Sequence, residues 1–298
     1  MAKRIHQMTI PQFEKAFPDE RHCAAYLVAH RWPMGVRCPR CGSDKVVPVA
    51  TMEFKWQCYN CNVDSGYRFS HIAGTIFENT NKPLRDWFRV IHMMLTSKKG
   101  ISALQVMRVM GFGSYKTAHY MCHRVRAGLA NEEFRALMGI VEVDETYIGG
   151  DDNNRHFGKK KGRDWSKHKF AVIGAVQRKG KVVARVLDKV NTLTLETFIN
   201  ETCSTDVSLI ATDEHRGYQD LKRIGYNHGT VNHSQKKYVV GALHTNTIEG
   251  FWSLVKRGVI GTYHKVSKKY LPLYIAEFQF RYNNRLNADI FGEAMKGV

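Results

Sequence analysis

The stretch Ile140-Val-Glu-Val-Asp144-Glu-Thr-Tyr-Ile148 is rich in β-branched and aromatic residues and predicts a β-strand with an aspartate in its middle. Two further apolar runs, residues 170–177 and 181–187, are joined by Arg178-Lys-Gly, which is typical of a hairpin turn. The quoted stretch is therefore expected to be the first of three consecutive strands.

Helices and strands alternate after the hairpin. Residues 193–203 have a helical pattern and lead to a buried strand, Val207-Ser-Leu-Ile-Ala-Thr212, which ends at Asp213. Residues 215–224 and about 271–284 are also predicted to be helical. Three strands followed by alternating helix and strand is the order of a ribonuclease-H-like core, so we predict such a mixed-sheet α/β domain over residues 138–298.

The stretch His244-Thr-Asn-Thr-Ile-Glu-Gly-Phe-Trp-Ser-Leu-Val-Lys256 predicts a short amphipathic helix. Its polar residues fall three or four positions apart and share one face: Asn246, Glu249, Ser253 and Lys256. The other face is apolar and carries Ile248, Phe251, Leu254 and Val255, and Trp252 is assigned to the core. Such a polar stripe is often just a solvated face, so its meaning depends on its neighbours.

Asp144, Asp213 and Glu249 lie on three predicted elements that this topology brings together, because its first and fourth strands are neighbours. Taken singly, an aspartate at a strand end is more often a cap or turn former. Converging carboxylates repel one another unless cations lie between them, and two Mg²⁺ or Mn²⁺ ions would clamp the oxygens of a phosphodiester displacement. The 35 residues between Asp213 and Glu249, with Lys256 seven residues further on, resemble the spacing in DDE transposases and retroviral integrases.

The charge of the chain favours a polyanionic partner. Its 298 residues include 45 Lys and Arg against 27 Asp and Glu, a net charge of +18. A protein that is merely basic and an anionic membrane surface are the alternatives. The sequence lacks an apolar run long enough to span a membrane and an apolar signal core at its N-terminus, so we expect a cytoplasmic protein.

Two Cys-x-x-Cys pairs, Cys38 with Cys41 and Cys58 with Cys61, are separated by sixteen residues. This spacing, with β-rich sequence around both pairs, predicts a zinc ribbon over residues 36–70 in which four thiolates hold one structural Zn²⁺. A redox pair is the alternative. Contact between the ribbon and DNA is left open, since its aromatic and basic side chains also suit a packed hairpin. The other cysteines, Cys23, Cys122 and Cys203, are predicted to be small buried side chains.

Residues 1–35 have a helical pattern without evident chemistry, and residues 71–131 predict a helix-turn-helix. Its helices are expected at 84–95, 102–110 and 115–129, with Gly111-Phe-Gly as the turn and Ser114 as the N-cap of the last helix. The predicted exposed positions of the last helix are Tyr115, Lys116, His119, His123, Arg124 and Arg126, of which Lys116, His119, His123 and Arg124 are assigned to DNA. A plain three-helix bundle is the alternative.

Two further basic segments flank the predicted acids. Residues 155–169 carry seven Lys or Arg, including Lys159, Lys160 and Lys161, and are interpreted as a grip on DNA rather than a solvated loop. Residues 250–276 contain no acid, and their Lys256 and Arg257 are also assigned to DNA.

Taken together, the zinc ribbon, the helical segment and the three acidic motifs resemble the ISXO-type bacterial insertion-sequence transposases over nearly the whole chain. The motifs are Val141-Glu-Val-Asp-Glu-Thr-Tyr-Ile-Gly-Gly150, Thr212-Asp-Glu-His-Arg-Gly-Tyr218 and the helix from His244 to Arg257. The resemblance implies a ribonuclease-H-like catalytic domain in which Asp144, Asp213 and Glu249 hold two Mg²⁺ or Mn²⁺ ions. Because the third position is not uniformly Glu in such proteins, Asn246, one helical turn before Glu249, is a further candidate ligand.

The implied activity is that of a DNA transposase, which binds the terminal inverted repeats of its element, hydrolyses a phosphodiester and joins the freed 3′-hydroxyl to target DNA. A homo-oligomer, at least a dimer on paired ends, is expected in the bacterial cytoplasm at the nucleoid. A same-fold nuclease that stops after hydrolysis and a DNA-binding regulator with a decayed catalytic domain are the alternatives.

Overall fold

The computed structural model describes residues 8–61, 66–130, 136–149, 169–231 and 244–297. The chain forms two compact units, the first comprising Met1–Asn131 with Leu286–Val298 and the second Glu132–Arg285. Within these described ranges, no helix has the length and apolar character needed to cross a membrane.

The first unit is mainly helical. Its helices are α1 (Ile10–Ala16), α2 (Glu20–Arg31), α3 (Leu84–Thr96), α4 (Ala103–Met110) and α5 (Tyr115–Leu129). The three helices predicted between residues 84 and 129 are confirmed. Gly111 ends α4 in the left-handed conformation, with φ of 66°, which glycine adopts without steric cost. Ser114 precedes α5 as predicted, but its side chain makes no capping hydrogen bond.

A small antiparallel sheet in the same unit carries the cysteine pairs. It consists of β1 (Val46–Pro48), β2 (Lys55–Cys58) and β3 (Tyr67–Ser70), in that order. Phe69 is buried against the cysteines, and Trp32 and Trp56 pack beside it. A core this small leaves the module dependent on additional stabilisation.

The second unit is built on a five-stranded mixed sheet in the order β6-β5-β4-β7-β8. The strands are β4 (Ile140–Gly149), β5 (Lys169–Gln177), β6 (Val182–Leu187), β7 (Leu209–Thr212) and β8 (His228–Thr230). Strands β4, β5 and β6 pair antiparallel, whereas β7 pairs parallel to β4 and to β8. The predicted strands, the hairpin and the adjacency of β4 and β7 are confirmed, and β8 was not predicted.

Helices cover both faces of this sheet. On one face, Val141 and Val143 pack with α6 (Thr192–Thr202) and with a 3₁₀ helix, Arg216–Lys222. The other face packs against α7 (Asn246–Gly258) and α8 (Leu271–Asn283), which are separated by a π-helical turn, Val259–Tyr263. Because side chains alternate along β4, Val143 and Asp144 point to opposite faces. The sheet therefore has two separate cores.

Side-chain amides of α8 protect the edge strand β6. Asn283 accepts a hydrogen bond from the Val182 N–H at 2.7 Å and donates one to its carbonyl at 3.0 Å. Gln279 accepts from the Ala184 N–H at 2.9 Å. An exposed strand edge would otherwise offer unpaired backbone groups to another chain, so these contacts close the sheet on this side.

The C-terminal helix α9 (Ile290–Lys296) belongs to the first unit rather than the second. Its Phe291 packs with Phe17 and Phe88, each at a ring-centroid distance of 5.4 Å. The domain predicted over 138–298 therefore differs from the compact units, in which the second unit ends at Arg285.

Candidate active site and metal centre

Asp144 lies within β4, and Asp213 directly follows the end of the neighbouring parallel strand β7. The last paired residues of β4 and β7 in their shared register are Glu142 with Ala211 and Val141 with Ile210. Each aspartate lies two residues beyond the Glu142–Ala211 pair, so the topology brings the two carboxyl groups to the same part of the sheet.

The carboxyl group of Asp144 interacts electrostatically with two other acids. Burial raises the pKa of its carboxyl to about 6, and repulsion by Asp213 and Glu249 adds to that effect. Each deprotonated neighbour makes ionisation of the next more costly. Asp144 is therefore close enough to both other predicted acids for their charges to interact.

Glu145 is a fourth acid at this place, and the sequence interpretation missed it. Its pKa is raised to about 7, chiefly by burial and then by Asp213 and Asp144, while Tyr218 acts in the opposite direction. Its Oε1 and the Tyr218 hydroxyl are buried without a hydrogen bond of normal geometry. The only available signal was its position beside Asp144, which strand alternation assigns to the opposite face.

Glu249 lies on the exposed face of α7, as predicted. Asn246, Glu249, Ser253 and Lys256 are exposed, whereas Ile248, Phe251 and Val255 are buried and Leu254 is partly buried. The Thr245 hydroxyl donates a hydrogen bond to Glu249 Oε1 at 2.9 Å. Trp252 is buried, as predicted, and its Nε1 has no hydrogen-bond partner of normal geometry.

Glu142, a second missed acid, attaches the start of α7 to β4. Its side chain is fully buried, and it accepts hydrogen bonds from Arg178 Nε at 2.6 Å, Thr247 N at 2.7 Å and Ile248 N at 3.1 Å. Backbone N–H groups at the start of a helix lack partners within the helix, and a carboxylate satisfies them well. Arg178 also donates to the carbonyl of His244 at 2.9 Å, so the ion pair holds the segment leading into the helix that carries Glu249.

The four predicted zinc ligands form one cluster. The sulfurs of Cys38, Cys41, Cys58 and Cys61 all lie within 4.8 Å of one another. The Ser43 backbone N–H and the Asn60 side chain lower the pKa of Cys41 to about 6, which favours the thiolate form that binds metal. Four thiols from two hairpins fit a closed tetrahedral zinc site. Cys23, Cys122 and Cys203 are buried, as predicted.

In the described part of the chain, these cysteines are the group whose ligand atoms come close enough to share a metal ion. The carboxylates of Asp144, Asp213 and Glu249 do not form a group of that kind, although their charges interact. Their carboxylate oxygens are the donor type that a hard divalent cation prefers.

Among the residues assigned to DNA, Lys116, Lys256 and Arg257 are exposed. Arg124 donates to the backbone carbonyls of Glu78 and Thr75, which directs its guanidinium toward the protein. Arg126, predicted to be exposed, is buried at 1% exposure because the apolar stripe of α5 is wide and includes its position. Lys159, Lys160 and Lys161 lie outside the described residues.

His119 and His123 are only partly exposed and contact each other, with their Nε2 atoms 3.1 Å apart. Burial lowers the pKa of His123 to about 4, and the Arg126 charge adds to that effect. The His119 pKa is lowered as well, again mainly by burial. Burial therefore favours the neutral form of both rings.

Comparison with known families matches residues 136–283 to an ISXO2-like transposase domain and residues 18–63 to a transposase zinc-ribbon domain. The chain is 28% identical over 277 residues to an uncharacterized protein in transposable element ISH50 of Halobacterium salinarum, a match that covers 90% of this chain and 92% of that protein. Among solved structures, it aligns with a chain of the simian T-cell lymphotropic virus intasome in complex with PP2A regulatory subunit B56 gamma. That alignment has a TM-score of 0.29 and 13% sequence identity. It covers 60% of this chain and 64% of the other chain, which is less than two thirds of the latter.

Proposed function

The chain belongs to the ISXO2-like transposases of insertion elements, and we propose that it cuts the ends of its element and joins them to target DNA. In this proposal Asp144, Asp213 and Glu249 are the catalytic acids. The observation that carries the proposal is the convergence of charge at Asp144, whose pKa is raised by burial first and then by Asp213 and Glu249, which lie on separate elements.

The fold of the second unit supports a ribonuclease-H-like catalytic domain. Three antiparallel strands are followed by two parallel ones, in the order β6-β5-β4-β7-β8, with helices on both faces. In the first unit, α4 and α5 joined by the left-handed Gly111 support a helix-turn-helix that reads the inverted repeats. Lys116, exposed at the start of α5, is the charged side chain best placed for that contact.

Asp144, Asp213 and Glu249 would hold two Mg²⁺ or Mn²⁺ ions, with Asn246 as a further candidate ligand. When bound, such a pair supplies Lewis-acid activation of the nucleophile and charge stabilisation of the phosphodiester transition state. Water is the nucleophile in cleavage and the freed 3′-hydroxyl in strand transfer, so no covalent link to the protein is required.

Other residues of the chain position these acids. Glu142 and Arg178 hold the start of α7 against β4, and Thr245 orients the Glu249 carboxylate through its hydroxyl. Lys256 lies on the same helical face about 10 Å further along, a suitable distance for a neighbouring phosphate. Positioning of this kind supplies a large part of the rate enhancement in phosphoryl transfer.

The closed four-cysteine cluster leaves no open coordination position, so its proposed role is to fold the ribbon. Two element ends must be held together for joining, and a dimer or larger homo-oligomer is proposed for that reason. The place of action is proposed to be the cytoplasm, at the nucleoid.

The proposal is tested by incubating the full chain with Mg²⁺ and a supercoiled plasmid carrying two element ends. Asp213→Asn is expected to lose cleavage by at least 1,000-fold, in line with about 4 kcal/mol of transition-state stabilisation, while retaining binding to the ends. Asp206→Asn, at an exposed aspartate before β7, is the matched control and should cleave normally.

An active Asp213→Asn variant would contradict the assignment of Asp144, Asp213 and Glu249 as the catalytic acids. Joined products from a labelled 3′ end are expected in addition to cleaved ones. Cleavage without joining would instead identify a nuclease that stops after hydrolysis, and end binding without cleavage by the unmodified chain would identify a DNA-binding regulator.

A further inference from the structure

A cavity of about 560 Å³ opens at one end of the large sheet. Its floor is one cross-strand row, in which Tyr147 pairs with Ala171 and Ala171 pairs with Leu187. The turn leading into α6, residues 188–191, forms a wall. Phe170 and Leu187 come from the two different cores, so the cavity lies where both faces of the sheet end.

The lining combines aromatic and basic side chains. Tyr147 is 52% exposed although it stands on the central strand β4. Lys169, Lys189 and Lys268 contribute three positive charges, and Asp188, which pairs with Lys268 at 2.8 Å, is the one acid of the lining. An aromatic ring face beside lysines is the combination that binds bases by stacking and phosphates by charge.

The cavity is close to the proposed catalytic acids. Tyr147 lies three residues beyond Asp144 on β4, a distance of roughly 10 Å along an extended strand. Tyr147 shares its face of the strand with Glu145, whereas Asp144 faces α7. A DNA strand that leaves the acids across the end of the sheet would reach the cavity within a few nucleotides.

The shape of the cavity restricts what can enter. Its volume falls in the range of about 300–1,000 Å³ that holds small molecules, and a rigid duplex is too wide to insert into such a space. A base that has left the helical stack is flat and small enough to lie against Tyr147, with its phosphate toward the lysines.

We propose that this cavity binds an unpaired nucleotide of the DNA strand held at the acids, by stacking on Tyr147 and by charge contact with Lys169 and Lys189. The inference rests on the proposed function and adds a binding site for single-stranded DNA to it. Unpairing near the cut would then be stabilised by the protein itself.

The test measures binding of a short single-stranded oligothymidine and of a blunt duplex to the full chain. Tyr147→Ala is expected to weaken oligothymidine binding about 10-fold or more, the effect of losing one stacked base, and to change duplex binding less than twofold. Tyr147→Phe keeps the ring and should bind as the unmodified chain does. Leu193→Ala, at an exposed side chain of α6 outside the lining, is the control.

Equal oligothymidine binding by Tyr147→Ala and the unmodified chain would overturn the inference, and so would an equal loss on both DNAs. If Tyr147→Ala does not fold, Lys189→Gln is measured in its place. The logarithm of its oligothymidine affinity should depend less steeply on the logarithm of the salt concentration, with a slope smaller in magnitude by about 0.7. An unchanged slope would reject the site. Failure of the unmodified chain to cut element ends would count against the proposed function alone, since this binding assay needs no cleavage.

Discussion

Glu142 and Asp144 lie two residues apart on the same face of β4, yet their carboxyl groups have different surroundings. Glu142 is fully buried and accepts hydrogen bonds from an arginine and from the start of α7. Asp144 has acids nearby and a raised pKa. Removing one partner of such a buried ion pair leaves the other charge uncompensated and costs about 3–5 kcal/mol. The contrast supports an anchoring role for Glu142 and a chemical role for Asp144.

His123 should make the helical unit sensitive to acid. Its pKa is about 6.5 in an unfolded chain and about 4 in the folded one. Above pH 6.5 the ring is neutral in both states. As the pH falls toward 4, the unfolded chain takes up the proton first, so the free energy of unfolding decreases across this window.

Urea unfolding of the full chain at a series of pH values between 7 and 4 checks this expectation, and His123→Gln should flatten the decrease. Lys116→Gln, which removes a charge from the same helix but does not titrate in this range, should leave the slope as it is. A slope that is the same with and without His123 would show that the ring is not held neutral.

The candidate acids Asp144, Asp213 and Glu249 could be proposed from sequence because of their combined spacing and motifs, since each position taken singly is more often structural. Glu142 and Arg178 could not, since their ion pair joins a strand to a hairpin turn 36 residues away. Arg126 was placed on the wrong side of α5 because helical spacing does not show how wide the buried stripe is.

At the level of elements, helix α7 approaches the sheet closely where β5 has no side chain. Gly174 pairs with Asp144, and a Cβ added at Gly174 would lie 2.7 Å from a ring carbon of Trp252 and 3.1 Å from Ile248 Cδ1. Both contacted residues flank Glu249 in sequence. The absence of a side chain at Gly174 therefore sets how near α7 can come to β4 and β5.

Gly174→Ala is expected to destabilise the second unit by about 1–3 kcal/mol, because its Cβ forces Trp252 and Ile248 outward. It should also reduce DNA cleavage by displacing Glu249. Gly250→Ala is the matched control: a Cβ there meets nothing within 4 Å, so helix propensity should leave the stability equal or slightly increased. Thermal unfolding and the plasmid assay together test this, and equal stability of the two variants would contradict it.

Most elements were predictable because their periodicity is strong. The strands β4, β5 and β6 and the helices α3, α4, α5 and α7 lie within a residue or two of the predicted ranges. Strand β8 is only three residues long, His228-Gly-Thr, which is too short for any alternation to be seen. The π-helical turn after α7 depends on packing rather than on local sequence, so it too was missed.

At the scale of the whole molecule, the C-terminal helix α9 packs within the unit that contains the first 131 residues. The seven residues of α9 carry too little pattern to reveal a partner, and Phe291 packs among Phe13 of α1, Phe17 at the end of α1 and Phe88 of α3. Contacts over such a separation in sequence cannot be read from local periodicity. The first unit thus packs segments from both ends of the described chain together, and the ribbon between its helices has the four-cysteine cluster to which structural zinc is assigned.

Removal of zinc should therefore unfold the ribbon and leave the second unit folded. Metal analysis of the full chain is expected to find one zinc, and a chelator or Cys61→Ser should remove it, along with stabilisation on the order of 10 kcal/mol. Cys203→Ala, at a buried cysteine of the second unit, should keep the zinc. Thermal unfolding of the zinc-free chain should show the loss of one transition only, because the five-stranded sheet of the second unit has its own two cores. A folded ribbon without zinc would disprove the assignment of the four cysteines, whereas loss of both transitions would show that the second unit cannot stand without the first.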